Sequence, residues 1–521
     1  MLAEQPTPER FDVEPVNSPK QRQPLYAARK KIFPRAVSGY FRRFKWLMML
    51  VTLTIYYVTP WLRFDRGPYA PDQAVLIDLA NRRFFFFFIE IWPQEFYYVA
   101  GMLVMAGIGL FLVTSTVGRA WCGYACPQTV WVDLFLAVER FIDGDRNAQM
   151  KLDAAPWTAD KAIKRVSKHA IWLAIGVLTG GAWIFYFADA PTLLVEVITL
   201  QAPPVAYFTI AILTATTYTF GGLLREQVCT YMCPWPRIQG AMLDEYSLTV
   251  TYNDWRGEPR NRHQKKAVTE GKPVGDCVDC NACVAVCPMG IDIRDGQQLE
   301  CITCALCIDA CDDVMTRIGK DRGLISYTTL NDYNANMALA TGTTDDSGTI
   351  QPSRIRDAAG KLVDRIKHTN WRSIVRPRTI VYLVGWSAIG LALLTVLALR
   401  SPLQLNVLHD RNPQFVMLKD GTVRNGYEVK ILNMTPTPRI IAVTIDGLPG
   451  GSMSMVDSRG TTSQAISVEL EPDKVLPLRL YIHADPAQLD GPKTRFQITV
   501  TSNDGLTAVS DINFEAPENA R

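Results

Sequence analysis

Residues 277–288, CVDCNACVAVCP, and residues 301–311, CITCALCIDAC, carry the same spacing, Cys-x-x-Cys-x-x-Cys-x-x-x-Cys. Three thiolates two residues apart can wrap one face of an iron–sulfur cubane, and a remote fourth thiolate closes it. Zinc knuckles are the alternative, but zinc sites use paired Cys-x-x-Cys motifs or add histidine, and neither stretch contains a histidine. The spacing therefore predicts two [4Fe-4S] clusters in a ferredoxin-like fold.

In proteins with two such motifs, the fourth thiolate of each cluster comes from the other motif. We therefore expect Cys277, Cys280, Cys283 and Cys311 to bind one cluster. Cys301, Cys304, Cys307 and Cys287 are expected to bind the other. Asp312 follows Cys311 where the motif usually has proline, so we expect a looser turn or greater solvent access there.

Four further cysteines occur as Cys122-Gly123-Tyr124-Ala125-Cys126-Pro127 and Cys229-Thr230-Tyr231-Met232-Cys233-Pro234. This spacing puts both thiols of a pair on one face if the segment is helical. The following proline is tolerated at a first turn but disrupts a helix interior, so we expect each pair at a helix start or a turn. A lowered thiol pKa is expected at a helix start. We predict that Cys122, Cys126, Cys229 and Cys233 converge into one catalytic thiol site. The sequence leaves open whether this site binds copper, binds a third cluster, holds reactive dithiols or only packs.

Five segments are apolar over about the 17–25 residues that a membrane helix needs: residues 46–62, 96–117, 170–188, 204–224 and 379–399. The run Phe84–Phe88 is too short to span and is typical of an interfacial aromatic stretch. Lys and Arg mark the cytoplasmic side. They crowd the N-terminus and the 118–169 loop and are absent from 190–203, which places the N-terminus and all twelve cysteines in the cytoplasm. The arginines of the 63–95 loop fit this scheme least well.

After the last apolar segment, residues 403–518 alternate apolar and polar side chains between turn signals such as Asn425-Gly426. About seven short strands in such a length predict an antiparallel, immunoglobulin-like sandwich. With five spans, this domain lies in the periplasm. A net charge of +3 in 521 residues does not indicate nucleic-acid binding.

The sequence thus predicts a multi-domain membrane protein with an α-helical bundle of about five transmembrane helices. Its expected parts are a cytoplasmic segment 1–45, four helices in 46–224 with the first Cys-x-x-x-Cys-Pro loop, a cytoplasmic region 225–378 with the second loop and the ferredoxin-like insert at about 270–320, a fifth helix at 379–400, and the sandwich at 403–518.

Six short motifs together resemble one family: 91–94 (IWPQ), 118–129 (GRAWCGYACPQT), 229–234 (CTYMCP), 256–260 (RGEPR), 290–296 (GIDIRDG) and 425–427 (NGY). The chain resembles the cytochrome c oxidase accessory proteins of the CcoG/FixG/RdxA type. The resemblance implies a bacterial inner-membrane oxidoreductase that reduces Cu(II) to Cu(I) for assembly of a cbb3-type oxidase. It implies copper-delivery and oxidase-assembly partners and a cytoplasmic electron donor, and leaves a homodimer open.

Two other functions stay open on the sequence. One is a quinol-linked electron carrier to a periplasmic reductase, as in relatives that share the paired Cys-x-x-x-Cys-Pro motifs. The other is a scaffold in which the clusters are only structural.

Overall fold

The computed structural model describes residues 11–13, 31–68, 70–342, 350–357, 361–370, 374–435, 437–456, 462–472, 474–489 and 491–517. The chain divides into two compact units. The first comprises Met1–Leu62 and Val75–Leu393, and the second comprises Arg63–Ala74 and Leu394–Arg521. All twelve cysteines belong to the first unit.

The α-helices of the described residues all belong to the first unit apart from the end of the last one. They are α1 (Tyr40–Val58), α2 (Tyr97–Val117), α3 (Pro127–Asp143), α4 (Arg146–Ala154), α5 (Ala159–Ile184), α6 (Ala190–Ile198), α7 (Pro204–Thr217), α8 (Trp235–Met242), α9 (Asp254–Gly257), α10 (Gln264–Thr269), α11 (Ala282–Ala285), α12 (Leu306–Arg317), α13 (Leu330–Thr341) and α14 (Pro377–Ala398).

Three helical stretches of the described residues are long and apolar enough to cross a membrane: Pro93–Val117, Pro204–Leu224 and Pro377–Ala398. They match the second, fourth and fifth predicted spans. The other two predicted spans are helical as well, in α1 and α5. Both of these helices begin earlier than expected, and their first turns carry the basic residues Arg42 and Lys161. That they cross a membrane stays a prediction.

The Phe84–Phe88 run, predicted to be an interfacial aromatic stretch, lies in a strand and the following turn of a small antiparallel sheet. Its strands are β1 (Val75–Asp78), β2 (Arg83–Phe86) and β3 (Ile89–Ile91), paired in that order. Phe85 is buried, whereas Phe88 is largely exposed. An exposed aromatic side chain at the end of this sheet remains compatible with an interfacial position.

The ferredoxin-like insert is built around the short helices α11 and α12, each of which starts within one cysteine motif. A two-stranded antiparallel sheet of β4 (Thr249–Tyr252) and β5 (Ile325–Thr328) flanks them. The side chains of this sheet pack with the cysteines into one buried cluster. The insert therefore has a core of its own in which the thiols take part.

The second unit contains nine strands among its described residues, more than the seven expected. One sheet has the order β10 (Ser452–Met455), β12 (Val475–Ala484), β8 (Val423–Asn433) and β6 (Leu403–His409), with the two-residue β7 (Val416–Met417) also on β8. The other has the order β11 (Ala465–Leu470), β9 (Arg439–Asp446), β13 (Lys493–Ser502) and β14 (Thr507–Glu515). The short strands β7 and β10 are too brief to show an alternating pattern.

Apolar side chains from both sheets form one continuous core in this unit, including Tyr427, Ile441, Phe496 and Phe514. Along β8 every second residue is buried. This burial period of two is what an antiparallel sandwich requires. The predicted immunoglobulin-like architecture is confirmed in its coarse form.

Candidate metal centres

The cysteines of the two ferredoxin motifs line two apolar cavities. Cys277, Cys280, Cys283 and Cys311 line the first cavity, which we call site A, together with Tyr252 and Met315. Cys287, Cys301, Cys304 and Cys307 line the second cavity, site B, together with Ile291 and Leu306. Each cavity therefore takes three thiols from one motif and the last thiol of the other, and Cys283 also reaches the edge of site B.

The backbone of both motifs turns in the same unusual way. The residues on either side of the second cysteine have positive φ in both motifs: Asp279 and Asn281 at site A, Thr303 and Ala305 at site B. Left-handed conformations are uncommon for residues other than glycine, although Asn and Asp adopt them more often than most. At site B the turn lets the amide N–H of Thr303 donate to the Cys301 sulfur at 3.4 Å. The backbone thus directs polar N–H groups toward the thiols, which are otherwise in apolar surroundings.

Four of these thiols are buried strongly enough to resist ionisation without a metal. Burial raises the pKa of Cys287 to about 12 and that of Cys301 to about 11, and it raises the pKa of Cys307 and Cys311 far above the usual range. Coordination by iron would compensate such buried thiolates. The donor set and its apolar walls therefore fit a [4Fe-4S] cluster at each site.

No group of three or more His, Cys, Asp or Glu side chains among the described residues is arranged to hold a single metal ion. A zinc ion would gather its four ligands at about 2.0–2.3 Å from one point.

Asp312 does not loosen the turn after Cys311, contrary to our expectation. Both residues lie inside α12, and Cys311 is buried. Asp312 Oδ1 accepts a hydrogen bond from the Gly323 amide at 2.8 Å. The aspartate ties the helix to the following loop, and a proline at this position would interrupt the helix.

The two Cys-x-x-x-Cys-Pro motifs fold alike. Each begins with one π-helical turn, Trp121–Ala125 or Val228–Met232, and the second cysteine ends that turn. Pro127 then starts α3 and Pro234 precedes α8. The prediction that each proline marks a helix start is confirmed.

The four thiols of these motifs lie close enough to affect one another's ionisation. Burial raises the pKa of Cys122 to about 11, and the nearby Cys126 and Cys233 thiols raise it further. Burial raises the pKa of Cys229 to about 12, again with contributions from the other three thiols. For Cys122, Cys126 and Cys229 the expected lowering of the thiol pKa is wrong, because burial outweighs the helix start. The structure nevertheless brings all four residues together, and we call this set the four-thiol site.

The four-thiol site lies directly against site B. A Cβ atom at Gly123 would be 2.7 Å from the Ile302 carbonyl oxygen and 3.1 Å from the Cys304 Cα and N atoms. The hydroxyl of Tyr124 donates to the Cys304 carbonyl at 3.1 Å. The hydroxyl of Tyr327 donates to the Thr303 carbonyl at 2.7 Å. Backbone contact and the Tyr124 hydrogen bond thus join the thiol turn to a cysteine turn of site B.

Two further polar residues contact the four-thiol site and were not predicted. The Cys122 thiol donates to Gln239 Oε1 at 3.0 Å. Arg119 is buried, and its charge lowers the pKa of both Cys122 and Cys229. Arg119 lies only three residues before Cys122 in the sequence, so that proximity could have identified it as a candidate site residue. Gln239 could not be identified in this way, because only the fold brings it to Cys122.

A network of buried charges underlies the same region. On α3, Asp133 pairs with Arg42 of α1 at 2.8 Å. Glu139 of α3 pairs with Lys168 at 3.1 Å and with Arg225 at 2.7 Å. Because each buried charge has an opposite partner, the network fixes α1, α3 and α5 to the segment that leads into the second Cys-x-x-x-Cys motif.

Two cavities lined by the eight cysteines of the ferredoxin motifs, a further four-thiol site beside one of them and three apolar helices define a membrane-bound iron–sulfur redox protein. Family models agree with this class: one described as a 4Fe-4S binding domain matches residues 99–142, and one described as a 4Fe-4S dicluster domain matches 224–330. A third, the IG-like fold at the C-terminal of FixG, matches 393–517.

Curated relatives give the family. The chain is 68% identical to the nitrogen fixation protein FixG of Rhizobium meliloti over 91% of this chain and 90% of that protein. It is 53% identical to protein RdxA and 52% identical to protein RdxB of Cereibacter sphaeroides, in each case over 89% of this chain and at least 91% of the relative. The chain belongs to the FixG/RdxA family. A crystal structure of a FixG-related protein from Vibrio parahaemolyticus, 27% identical, covers 22% of this chain and 97% of its own, with a TM-score of 0.19.

Proposed function

We propose that this chain passes single electrons from two [4Fe-4S] clusters at sites A and B to the four-thiol site. There Cu(II) is reduced to Cu(I) for the assembly of a cbb3-type cytochrome c oxidase. The observation that carries the proposal is the contact of the Gly123 turn with the Ile302–Cys304 turn of site B. It makes the four-thiol site the neighbour of one cluster site rather than an isolated group of cysteines.

In this proposal Cys277, Cys280, Cys283 and Cys311 hold one cluster, and Cys287, Cys301, Cys304 and Cys307 hold the other. When bound, such clusters exchange single electrons at potentials between roughly −700 and +450 mV. The apolar walls of both sites keep water away from the thiolates. Arg294, held by Asp292 at 2.6 Å, lines site A and places a fixed positive charge beside its thiols.

Copper is the substrate of the four-thiol site. Each Cu(II) ion takes one electron and becomes Cu(I), so a chain that carries one electron at each cluster site can reduce two copper ions. Cys122, Cys126, Cys229 and Cys233 would retain the product because soft thiolates favour Cu(I). Since their present arrangement is not that of a single-ion site, copper binding draws these thiols together and releases their protons.

The proposed topology places both cysteine regions in the cytoplasm of a bacterial inner membrane and the sandwich in the periplasm. The charges at the helix ends support it. Arg42 and Lys45 lie in the first turns of α1, and Arg225 follows the π-helical end of the α7 span. Arg376 and Arg378, at the start of α14, both bind Asp244 near the second Cys-x-x-x-Cys motif. Cations at the membrane ends nearest the cysteines are typical of the cytoplasmic side.

A single-turnover copper experiment tests the proposal. The purified full chain, reduced chemically and freed of reductant, is mixed with a Cu(II) complex, and Cu(I) is detected with a chromogenic chelator. We expect the wild type to form Cu(I) as the iron–sulfur absorbance recovers. The variant Cys122→Ser with Cys126→Ser is expected to keep its iron and to form no Cu(I).

The matched control is Tyr231→Phe, which changes an exposed side chain between Cys229 and Cys233. It is expected to reduce copper like the wild type. Undiminished Cu(I) formation by the double cysteine variant would remove the four-thiol site from the reaction.

A quinol-linked electron carrier is the second candidate function, and one contact favours it. His169 Nδ1 lies 2.9 Å from the Tyr218 hydroxyl, beside Trp172, and hydroxyl groups of a quinol could hydrogen bond to such a pair. In this case a quinol analogue would reduce the oxidised chain and change its visible spectrum. Spectral change with the quinol, but no copper reduction, would favour this candidate over the first.

A further inference from the structure

Arg119 is a buried guanidinium without a carboxylate partner. It is 4% exposed. One Nη atom donates to the Leu299 carbonyl, and its Nε atom has no hydrogen-bond partner among the described residues. No ion pair of Arg119 with an acidic side chain occurs in the described part of the chain. An unpaired buried charge is strongly unfavourable, so its surroundings must supply a negative charge in the working state.

Other buried arginines of the same unit show the contrast. Arg42, Arg225 and Arg256 each pair with a carboxylate, of Asp133, Glu139 and Asp276 in that order. Arg146 instead donates to the backbone carbonyls of Phe33 and Asp12. Arg119 differs from all four because its Nε atom is buried without a hydrogen-bond partner among the described residues.

The groups that Arg119 faces are thiols from three separate motifs. Arg119 lies three residues before Cys122, and one Nη atom donates to the carbonyl of Leu299, two residues before Cys301 of site B. Its charge also acts on the Cys122, Cys229 and Cys301 thiols. Gly118 makes this placement possible: it ends α2 at a φ of 61°, and a Cβ there would collide with the Leu248 carbonyl. The hydrogen bond to the Leu299 carbonyl thus links the arginine that precedes Cys122 to the segment that leads into Cys301 of site B.

We propose that Arg119 is the fixed counter-charge of an anionic metal–thiolate centre at Cys122, Cys126, Cys229 and Cys233, and that it raises the reduction potential of the adjoining cluster at site B. The proposal rests on the proposed function and names the residue that positions charge for it. Four thiolates that hold a monovalent copper ion carry net negative charge, which the guanidinium compensates. The same positive charge stabilises the reduced form of the cluster at site B, which is the cluster site next to the thiols.

Gln239 fits this change of charge at Cys122. Its Oε1 accepts from the Cys122 thiol, and its Nε2 donates to Thr114 Oγ1 at 3.3 Å. Both Gln239 and Thr114 are buried. Because an amide carries a donor and an acceptor, a half-turn of the side chain would present N–H to a Cys122 thiolate and carbonyl oxygen to the threonine hydroxyl. The surroundings of Cys122 can thus serve the thiol and the metal-bound thiolate.

Arg119→Gln, Arg119→Met and Arg119→Lys in the full chain test the proposal. The iron sites are loaded, copper is left out, and the two cluster midpoint potentials are measured by a redox titration followed by EPR. In Arg119→Gln we expect one midpoint to become more negative, with the equilibrium constant for its reduction about tenfold lower, which is about 59 mV for one electron. The other midpoint, that of site A, serves as the internal control and is expected to stay in place.

The affinity for Cu(I), measured by competition with a chromogenic chelator, is expected to fall about tenfold in Arg119→Gln because a charge interaction of this kind is lost. Arg119→Lys keeps the charge and is expected to restore most of both effects. Arg119→Met keeps the apolar stem without the charge, and it replaces the glutamine variant if that variant does not fold.

Equal shifts of both midpoints, no shift of either, or a lysine variant that behaves like the neutral ones would overturn the proposal. These potentials are measured without copper. A wild type that fails to reduce copper would therefore overturn the proposed function. The measured potentials would still decide whether Arg119 acts on the cluster at site B.

Discussion

Gly123→Ala is expected to push the four-thiol site away from site B. The added Cβ would lie 2.7 Å from the Ile302 carbonyl oxygen, whereas ordinary contact begins at 3.4 Å, so the two turns must separate by 0.7 Å. The opposing atoms are backbone, including Cys304 N at 3.1 Å, and cannot rotate away. Overpacking of this kind reduces stability by about 1–3 kcal/mol.

The matched control is Gly107→Ala. Gly107 lies within α2, the helix that leads to the same thiol turn, and a Cβ there meets nothing within 4 Å. Alanine is favoured over glycine inside a helix by up to about 1 kcal/mol. The control is therefore expected to be neutral or slightly stabilising.

Thermal unfolding, iron content and single-turnover copper reduction are measured for both glycine variants. We expect Gly123→Ala to unfold at a lower temperature than the wild type and to reduce copper more slowly per bound iron. A Gly123→Ala protein that matches Gly107→Ala in both respects would refute the close packing of the two turns.

Three further predictions concern other parts of the fold. Glu139→Gln leaves the buried positive charges of Lys168 and Arg225 without their shared carboxylate. We expect the free energy of unfolding to fall by about 3–5 kcal/mol. Thermal unfolding measures this, with a variant of a solvent-exposed ion pair as the control. Burial raises the pKa of Glu139, but the charges of Arg225 and Lys168 outweigh burial and hold this pKa below its usual range. The stabilisation by Glu139 is therefore present above the unfolded-state pKa of about 4.3, and it is lost as the pH falls through the lower folded-state pKa. Asp312→Pro restores the usual Cys-Pro sequence but interrupts α12, so we expect the protein to lose about 3 kcal/mol of stability and to lose iron. The control Asp312→Ala is expected to keep its iron. Equal iron contents in the two variants would contradict this prediction. Tyr427→Phe removes a buried hydroxyl that donates to a backbone carbonyl across the sandwich at 2.8 Å, and we expect a loss of about 1–3 kcal/mol in the unfolding of the second unit, with no change in iron content.

The sequence predicted the features that depend on local spacing. Cysteine spacing was enough to predict sites A and B and the exchange of their fourth cysteines, because the geometry of a cubane restricts which residues can reach it. The alternation of apolar residues was likewise enough for the sandwich. The proline that follows each Cys-x-x-x-Cys pair correctly marked a helix start, since proline fits only the first turn.

Features that depend on distant parts of the chain were not predictable in the same way. Arg42 and Asp133 are 91 residues apart and meet only because α1 and α3 pack together. The thiol pKa values rise because folding buries Cys122 and Cys229, which the sequence does not reveal. The role of Asp312 also needed the structure, because its partner Gly323 belongs to the next loop.

The number of iron, sulfide and copper atoms per chain, counted after anaerobic purification and exposure to Cu(I), tests most directly whether the four-thiol site is separate from the two clusters. We predict eight irons, the content of two four-iron clusters, in the wild type and in the variant Cys122→Ser with Cys126→Ser. Copper is expected in the wild type and absent from that variant. Twelve irons in the wild type, falling to eight in the variant, would show a third cluster at the four-thiol site and contradict the proposed copper chemistry.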